Sequence, residues 1–303
     1  MIEKIGNVTL NLNYYNGIDD YSDGEEIEEK LLQIVKNHES FEKITENSSE
    51  WPIVYHLSKQ RQNILEWYDF KKEDTILEIG AGCGAITGLL AEKSKKIVSV
   101  EISKKRSLIN AYRNKKYDNL EIIVGNFNDI KIEEKFNYIT LIGVLEYSKN
   151  FTNSETPEIK FLNELKKYLK PNGKIMIAIE NKLGLKYWAG AKEDHTSLLF
   201  DSIQGYLNTK KVATYSKEEL KKMLCKTGFL NIEFYYPFPD YKLPNIIYSE
   251  KYLPKIGDLR NLIHNYDMSR YVFFDEGIVY DQLIKDSNFE KFSNSFLTIA
   301  ENI

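Results

Sequence analysis

The sequence predicts an α/β fold: a largely parallel sheet covered by helices on both faces. Near-continuous apolar runs recur at residues 75–79, 97–101, 120–124, 137–142 and 174–179, as expected of strands buried on both sides. Segments of helical periodicity alternate with them at 86–92, 103–115 and 158–169. A glycine cluster follows the first run, at the point where its strand gives way to a helix.

Taken in order, residues 1–50 read as a polar leader. Its acidic stretch leads into an amphipathic helix carrying Ile27, Leu31, Leu32, Ile34 and Val35. A second helical stretch begins at Trp51 and runs through Val54, Leu57, Arg61, Ile64, Leu65 and Tyr68. The alternating core follows. Pro171, Asn172 and Gly173 predict a turn between its last helix and strand. Ser216 with Glu218 and Glu219 reads as an N-cap with an acidic first turn, opening a helix that ends near Gly228. Further strands are expected at 231–237 and 295–300. There is no internal repeat and no low-complexity tract.

Composition narrows the function. The 303 residues carry 41 basic and 45 acidic side chains, a net charge of −4, which argues against a protein that coats nucleic acid. No apolar stretch approaches the roughly 20 residues needed to span a bilayer, and the start lacks the pattern of a signal peptide. Two cysteines, Cys83 and Cys225, fit a reducing compartment. The expectation is a soluble, cytoplasmic protein. Aromatic residues make up 13% of the chain. They either serve as stacking platforms or reflect a coding bias shared with the abundant Lys, Ile and Asn.

The strongest local signal is the run from Glu78 through Gly80, Gly82 and Gly84. It is not the dinucleotide fingerprint, because the third glycine of that spacing would fall on Ala85. Glu78 at the strand tip would repel a pyrophosphate and welcome a cationic amine. Glu101, closing the next strand, can accept both hydroxyls of a ribose. An amine and a ribose on one ligand point to S-adenosylmethionine.

Residues 75 to about 180 resemble the class I S-adenosylmethionine-dependent methyltransferases, through LEIGAGCGAITGLLAEK, VSVEIS, IIVGNFND, GVLEYS and LKPNGKIMIAIE in that order. The resemblance implies a Rossmann-like, seven-stranded mixed sheet of order 3-2-1-4-5-7-6, with strand 7 antiparallel. It implies that Gly80, Gly82 and Gly84 pack against the cofactor and that Glu101, with Ile102 beside it, holds the ribose. Asn126, Phe127 and Asp129 would border the adenine, and Gly143 to Glu146 would lie beneath the sulfonium. Arg61 is open between two readings, a ligand of the cofactor carboxylate and a surface arginine. Cys83 reads as a small residue that fits the loop, not as a nucleophile.

The glycine loop also looks like that of the ribosomal-RNA adenine dimethylases. Those enzymes carry an Asn/Asp-Pro-Pro-aromatic motif after strand 4 to hold a flipped base. Here that position reads Gly143-Val144-Leu145-Glu146-Tyr147-Ser148, so base methylation is disfavoured. The lysine-rich stretches 93–96, 104–106 and 113–116 read as solvated faces. Segments 179–196 and 235–244 instead resemble a bacterial group of methyltransferases from surface-glycan and polysaccharide assembly, sometimes joined to glycosyltransferase modules. That resemblance makes glycosyltransferases of the same pathway candidate partners.

The expected organisation is a helical leader or cap over 1–50 and a methyltransferase domain over 51–303. Insertions at about 181–214 and 238–291 would form a lid over the acceptor, the second lying between strands 6 and 7. His195 reads as the base for a hydroxyl proton, or as a substrate-binding or structural histidine. Asp194 and Glu193 would orient it or bind sugar hydroxyls. A metal at Glu193, Asp194 and His195 is set aside, because consecutive side chains rarely point at one ion. Glu146, Tyr147, Glu180, Asn181, Tyr187, Trp188, Tyr236, Asp240 and Tyr241 complete the expected acceptor site, with the aromatic rings stacking on sugars and Asp240 read either as an acid or as a turn cap. The expected reaction is methyl transfer to a hydroxyl, less readily an amine, of a saccharide or saccharide-linked group. A peptide-, protein- or small-metabolite-directed enzyme is the alternative. A non-catalytic assembly partner is a further one, against which the intact Glu78, glycines and Glu101 speak.

Overall fold

Short β-branched runs become strands where the apolar pattern placed them. The computed structural model describes residues 1–19, 22–151, 154–207, 209, 211–261 and 268–303. Positions 208, 210 and 262–267 of the two expected insertions therefore lie outside the described residues. The chain divides into two compact units, residues 1–141 with 168–173, and residues 142–167 with 174–303.

In the first unit, β1 (Ile2–Ile5) pairs antiparallel with β2 (Val8–Tyr14), in the register Ile2↔Asn11 to Ile5↔Val8. β3 (Thr75–Ile79), β4 (Lys96–Glu101), β5 (Leu120–Gly125) and β6 (Phe136–Ile142) run parallel. β2 joins them alongside β5, pairing Thr9↔Glu121 and Leu10↔Ile122, so the order is β1-β2-β5-β4-β3-β6. Ile76, Leu77, Ile97, Val98, Ile122, Val124, Ile139 and Leu141 form the strand core. The helices Thr87–Lys93 and Lys104–Arg113 follow β3 and β4.

The leader is not simply helical. Val8, Leu10 and Leu12 are buried in alternation, a period-2 pattern that makes a half-buried strand. The helix Glu25–Asn37 does form, and its Leu31, Leu32 and Val35 pack with Ile53, Leu57, Cys83 and Ile109.

In the second unit, β7 (Leu169–Glu180), β8 (Phe229–Phe238), β9 (Ile246–Ser249) and β10 (Ser295–Asn302) follow the order β7-β10-β8-β9. β10 is antiparallel to both β7 and β8, with Leu297 facing Ala178 on one side and Tyr235 on the other. The described residues thus hold ten strands, not seven, because β1 and β2 come from the leader and β9 from the second insertion. That insertion also contains the helix Glu276–Lys285. Pro171, Asn172 and Gly173 do not separate helix from strand but lie within β7, where Asn172 adopts φ 60°. Ser216 caps Lys217–Lys226 in a reciprocal capping box with Glu219.

Candidate active site

In the first unit, the loop after β3 is held by two buried carboxylates. Glu101 Oε2 accepts the Gly82 N–H at 2.8 Å and Oε1 accepts the Ser103 N–H at 2.9 Å. Glu78 Oε2 accepts the hydroxyls of Thr87 (2.7 Å) and Ser99 (2.6 Å). Burial raises both carboxyls, Glu78 to about 7 despite its two hydroxyl donors. A Cβ on Gly84 would stand 2.3 Å from Asn110 Oδ1 at φ +75°, so only glycine fits there. Gly80 donates its N–H to Val100 O at 2.8 Å.

Behind the loop, Asn110 donates to Thr87 Oγ1 (3.1 Å) and accepts from Asn114 Nδ2 (2.8 Å). This buried polar chain escaped the sequence reading, although two asparagines four apart on an amphipathic helix were its visible trace. A second missed cluster ties the leader down: Arg106 reaches Asp23 at 2.7 Å and Glu28 at 2.8 Å, and His56 Nε2 meets Asp23 at 2.6 Å.

Arg61 is buried, with its guanidinium 4.3 Å from the Tyr55 ring centroid, which removes the surface-arginine reading. Burial pushes the Cys83 thiol far above its usual range, which leaves it unreactive. Asn126 accepts the Asn128 N–H at 3.0 Å and caps the turn Phe127–Asp129. Phe127 is buried edge-on to Tyr168, and Ile102 is half-buried beside Glu101.

In the second unit, Glu146, Tyr147, Glu180, Glu193, Asp194 and His195 gather in one buried cluster. His195 Nδ1 lies 2.9 Å from Glu193 Oε1, and the backbone N–H groups of His195 and Thr196 donate to Glu193 Oε2 at 2.7 Å. Its Nε2 stands 3.7 Å from Glu146 Oε1, and Tyr147 packs edge-on against the ring. Burial alone would lower the imidazole pKa. The nearby Glu146 carboxylate, the hydrogen bond to Glu193 and the other carboxylate charges outweigh it and hold the group well above its ordinary value.

Asp194 receives Lys186 (2.8 Å), Lys242 and the Tyr187 hydroxyl, and the lysines keep it ionised against the cost of burial. Glu180 is fully buried, 3.3 Å from Lys242 Nζ, and desolvation raises its pKa. Lys186 and Lys242 were missed, although both lie in the segments singled out for the acceptor.

Several expected acceptor residues have structural duties instead. Asn181 donates to the carbonyls of Lys291 and Ser293 and accepts the Leu183 N–H, which uses its whole amide. Tyr187, Tyr236 and Tyr241 are buried, so they offer no stacking face. Tyr236 bonds Lys217 and Glu290, while the Tyr241 hydroxyl sits 2.9 Å from where a Cβ on Gly143 would be. Trp188 is exposed. Asp240 Oδ1 accepts the Lys242 N–H at 2.8 Å, which is the turn-cap reading.

A family model described as a methyltransferase domain matches residues 70–233. Protein-L-isoaspartate O-methyltransferase 2 of Archaeoglobus fulgidus is 30% identical over 124 residues, covering 38% of this chain and 50% of that protein. Ribosomal RNA small subunit methyltransferase A of Clostridium acetobutylicum is 35% identical over 108 residues, covering 34% and 37%. The chain thus spans half or less of these relatives. Among solved structures, the complex between the Haloferax volcanii Trm112 methyltransferase activator and a methyltransferase gives a TM-score of 0.50 at 15% identity, over 88% of this chain and 97% of that one. That likeness shows the Rossmann-like fold. With the model covering more than half of its length, the chain belongs to the methyltransferase-domain family and is an S-adenosylmethionine-dependent enzyme.

Proposed function

We propose that the enzyme methylates a hydroxyl of a saccharide or saccharide-linked group, with the glycine-loop residues holding S-adenosylmethionine and the cluster around Glu146, Glu180 and His195 holding the acceptor. S-adenosylmethionine supplies the electrophilic methyl group. The loop residues fit it: Glu78 offers a carboxylate to its ammonium, Glu101 one to its ribose, and Gly84 keeps the loop free of a Cβ. The remaining cofactor set is Gly80, Gly82, Ile102, Asn126, Phe127, Gly143 and Arg61.

One observation carries the acceptor reading. Both oxygens of Glu180 and Oε2 of Glu146 are buried and have no hydrogen-bond partner among the described residues. A buried unpaired acceptor costs about 1–3 kcal/mol, and a hydroxyl-bearing ligand offsets that cost. A hydroxyl donated to either carboxylate can leave its proton there as it attacks. An amine suits the site less, because paired buried carboxylates would hold it as a non-nucleophilic ammonium. His195, fixed through Glu193, positions Glu146.

The two free cysteines, Cys83 and Cys225, accord with action in a reducing cytoplasm, beside glycosyltransferases of the same pathway. Among the described residues no helix is long and apolar enough to cross a membrane.

The test is mass spectrometry of an oligosaccharide panel incubated with enzyme and S-adenosylmethionine, where addition of one methyl group is expected. Replacing His195 by Gln should cut turnover about 100-fold or more while S-adenosylhomocysteine affinity stays within about twofold. Full turnover by that variant would remove His195 from the acceptor site. The ribosomal-RNA relatives carry a second reading, base methylation. It predicts methyl incorporation into small-subunit RNA and none into the panel, although residues 143–148 lack the base-holding motif.

A further inference from the structure

We propose that Glu146, Glu180 and His195 form a divalent-cation site. His195 Nε2 and one carboxylate oxygen from each glutamate lie within 4.8 Å of one another. Two ligands of a single ion stand roughly 3–4 Å apart when each bond is about 2.0–2.2 Å, so small side-chain rotations close the set.

The three come from separate elements: Glu146 from the turn Leu145–Tyr147, Glu180 from the end of β7, and His195 from the first insertion. This is not the consecutive set that the sequence suggested, because Asp194 turns away to Lys186 and Lys242.

Buried carboxylate oxygens without partners favour an ion. Glu180 is 0% exposed and Glu146 is 1% exposed, yet three of their four carboxylate oxygens have no hydrogen-bond partner among the described residues. Lys242, 3.3 Å from Glu180 Oε1, is already engaged by Asp194.

The histidine is oriented as a ligand. Glu193 takes Nδ1 at 2.9 Å and leaves Nε2 facing the two glutamates, the arrangement in which a carboxylate fixes a ligating imidazole. Three protein ligands leave coordination positions open for an acceptor oxygen. The imidazole favours a first-row ion such as Mn²⁺ over Ca²⁺ or Mg²⁺. The role of those open positions rests on the saccharide reading above, whereas ion binding itself does not.

The experiment uses full-length, chelator-treated protein with Mn²⁺ alone, followed by electron paramagnetic resonance. One ion per chain is expected, with nitrogen coupling from an imidazole. Affinity should fall about 100-fold in Glu146→Gln and Glu180→Gln, with near-ultraviolet dichroism and S-adenosylhomocysteine binding unchanged. Glu290→Gln, in the separate Tyr236–Lys217 cluster, should bind the ion as the wild type does.

No bound ion at millimolar Mn²⁺ would overturn the proposal, as would equal affinity in both glutamate variants. Should those variants fail to fold, absence of nitrogen coupling in the wild type overturns it. If no ion binds but metal-free enzyme methylates the oligosaccharide panel, this inference alone falls. If the ion binds and no saccharide is methylated, the acceptor reading falls and the ion site stands.

Discussion

Glu78 is costly to the fold, and the proposed ammonium partner would put that cost to use. Its carboxyl is pushed up to about 7 by burial, against about 4.3 in an unfolded chain. The folded protein therefore binds an extra proton between those values, and stability falls as pH rises through that window. Above pH 7 the buried charge costs on the order of 3 kcal/mol. The proposed ammonium partner needs that charge. S-adenosylmethionine affinity should consequently rise about tenfold between pH 5.5 and 7 in calorimetric titration, while Glu78→Gln binds weakly at every pH. In thermal unfolding at pH 8, the same variant should be more stable than the wild type. A pH-independent wild-type affinity would exclude Glu78 from the amine site.

The helix Glu25–Asn37 links the leader to the glycine loop. Leu31 is fully buried in the cluster that contains Cys83, between Gly82 and Gly84. Arg106 anchors the same helix through Glu28. Leu31→Ala should cost about 2–5 kcal/mol and weaken S-adenosylhomocysteine binding as the cavity loosens the loop. Denaturant unfolding and calorimetry read the two effects. An affinity equal to that of the wild type, in a destabilised protein, would separate the leader from cofactor binding. This helix was legible because its apolar positions recur with a helical period. The five strands β3 to β7 were legible because burial on both faces made them near-continuous apolar runs. β1 and β2 were not, since Val8-Thr9-Leu10-Asn11-Leu12 alternates with polar residues and its partner β5 lies more than a hundred residues away. β9 was missed for another reason: it is only four residues long, and it pairs with the preceding strand β8.

For the molecule as a whole, local pattern identified the chemistry better than the acceptor. Glu78, the glycines and Glu101 are contiguous with recognisable strand ends, so their placement could be read from spacing. The lysine pairing of Asp194, the saturation of Asn181 and the burial of Tyr187, Tyr236 and Tyr241 depend on contacts between distant segments, which no spacing reveals. The near-balanced charge, −4 over 303 residues, bears on what that acceptor is. An RNA substrate held by six or more phosphate contacts would lose about 10³-fold or more in affinity between 50 and 200 mM salt, because each contact releases counterions. A saccharide recognised by hydroxyl donation to Glu146 and Glu180 releases almost none. The acceptor KM should therefore change less than about twofold over that salt range, measured by methyl incorporation at saturating S-adenosylmethionine. A steep logarithmic salt dependence would instead assign the enzyme to the polyanion-directed branch of its family, whatever the acidic balance of the chain.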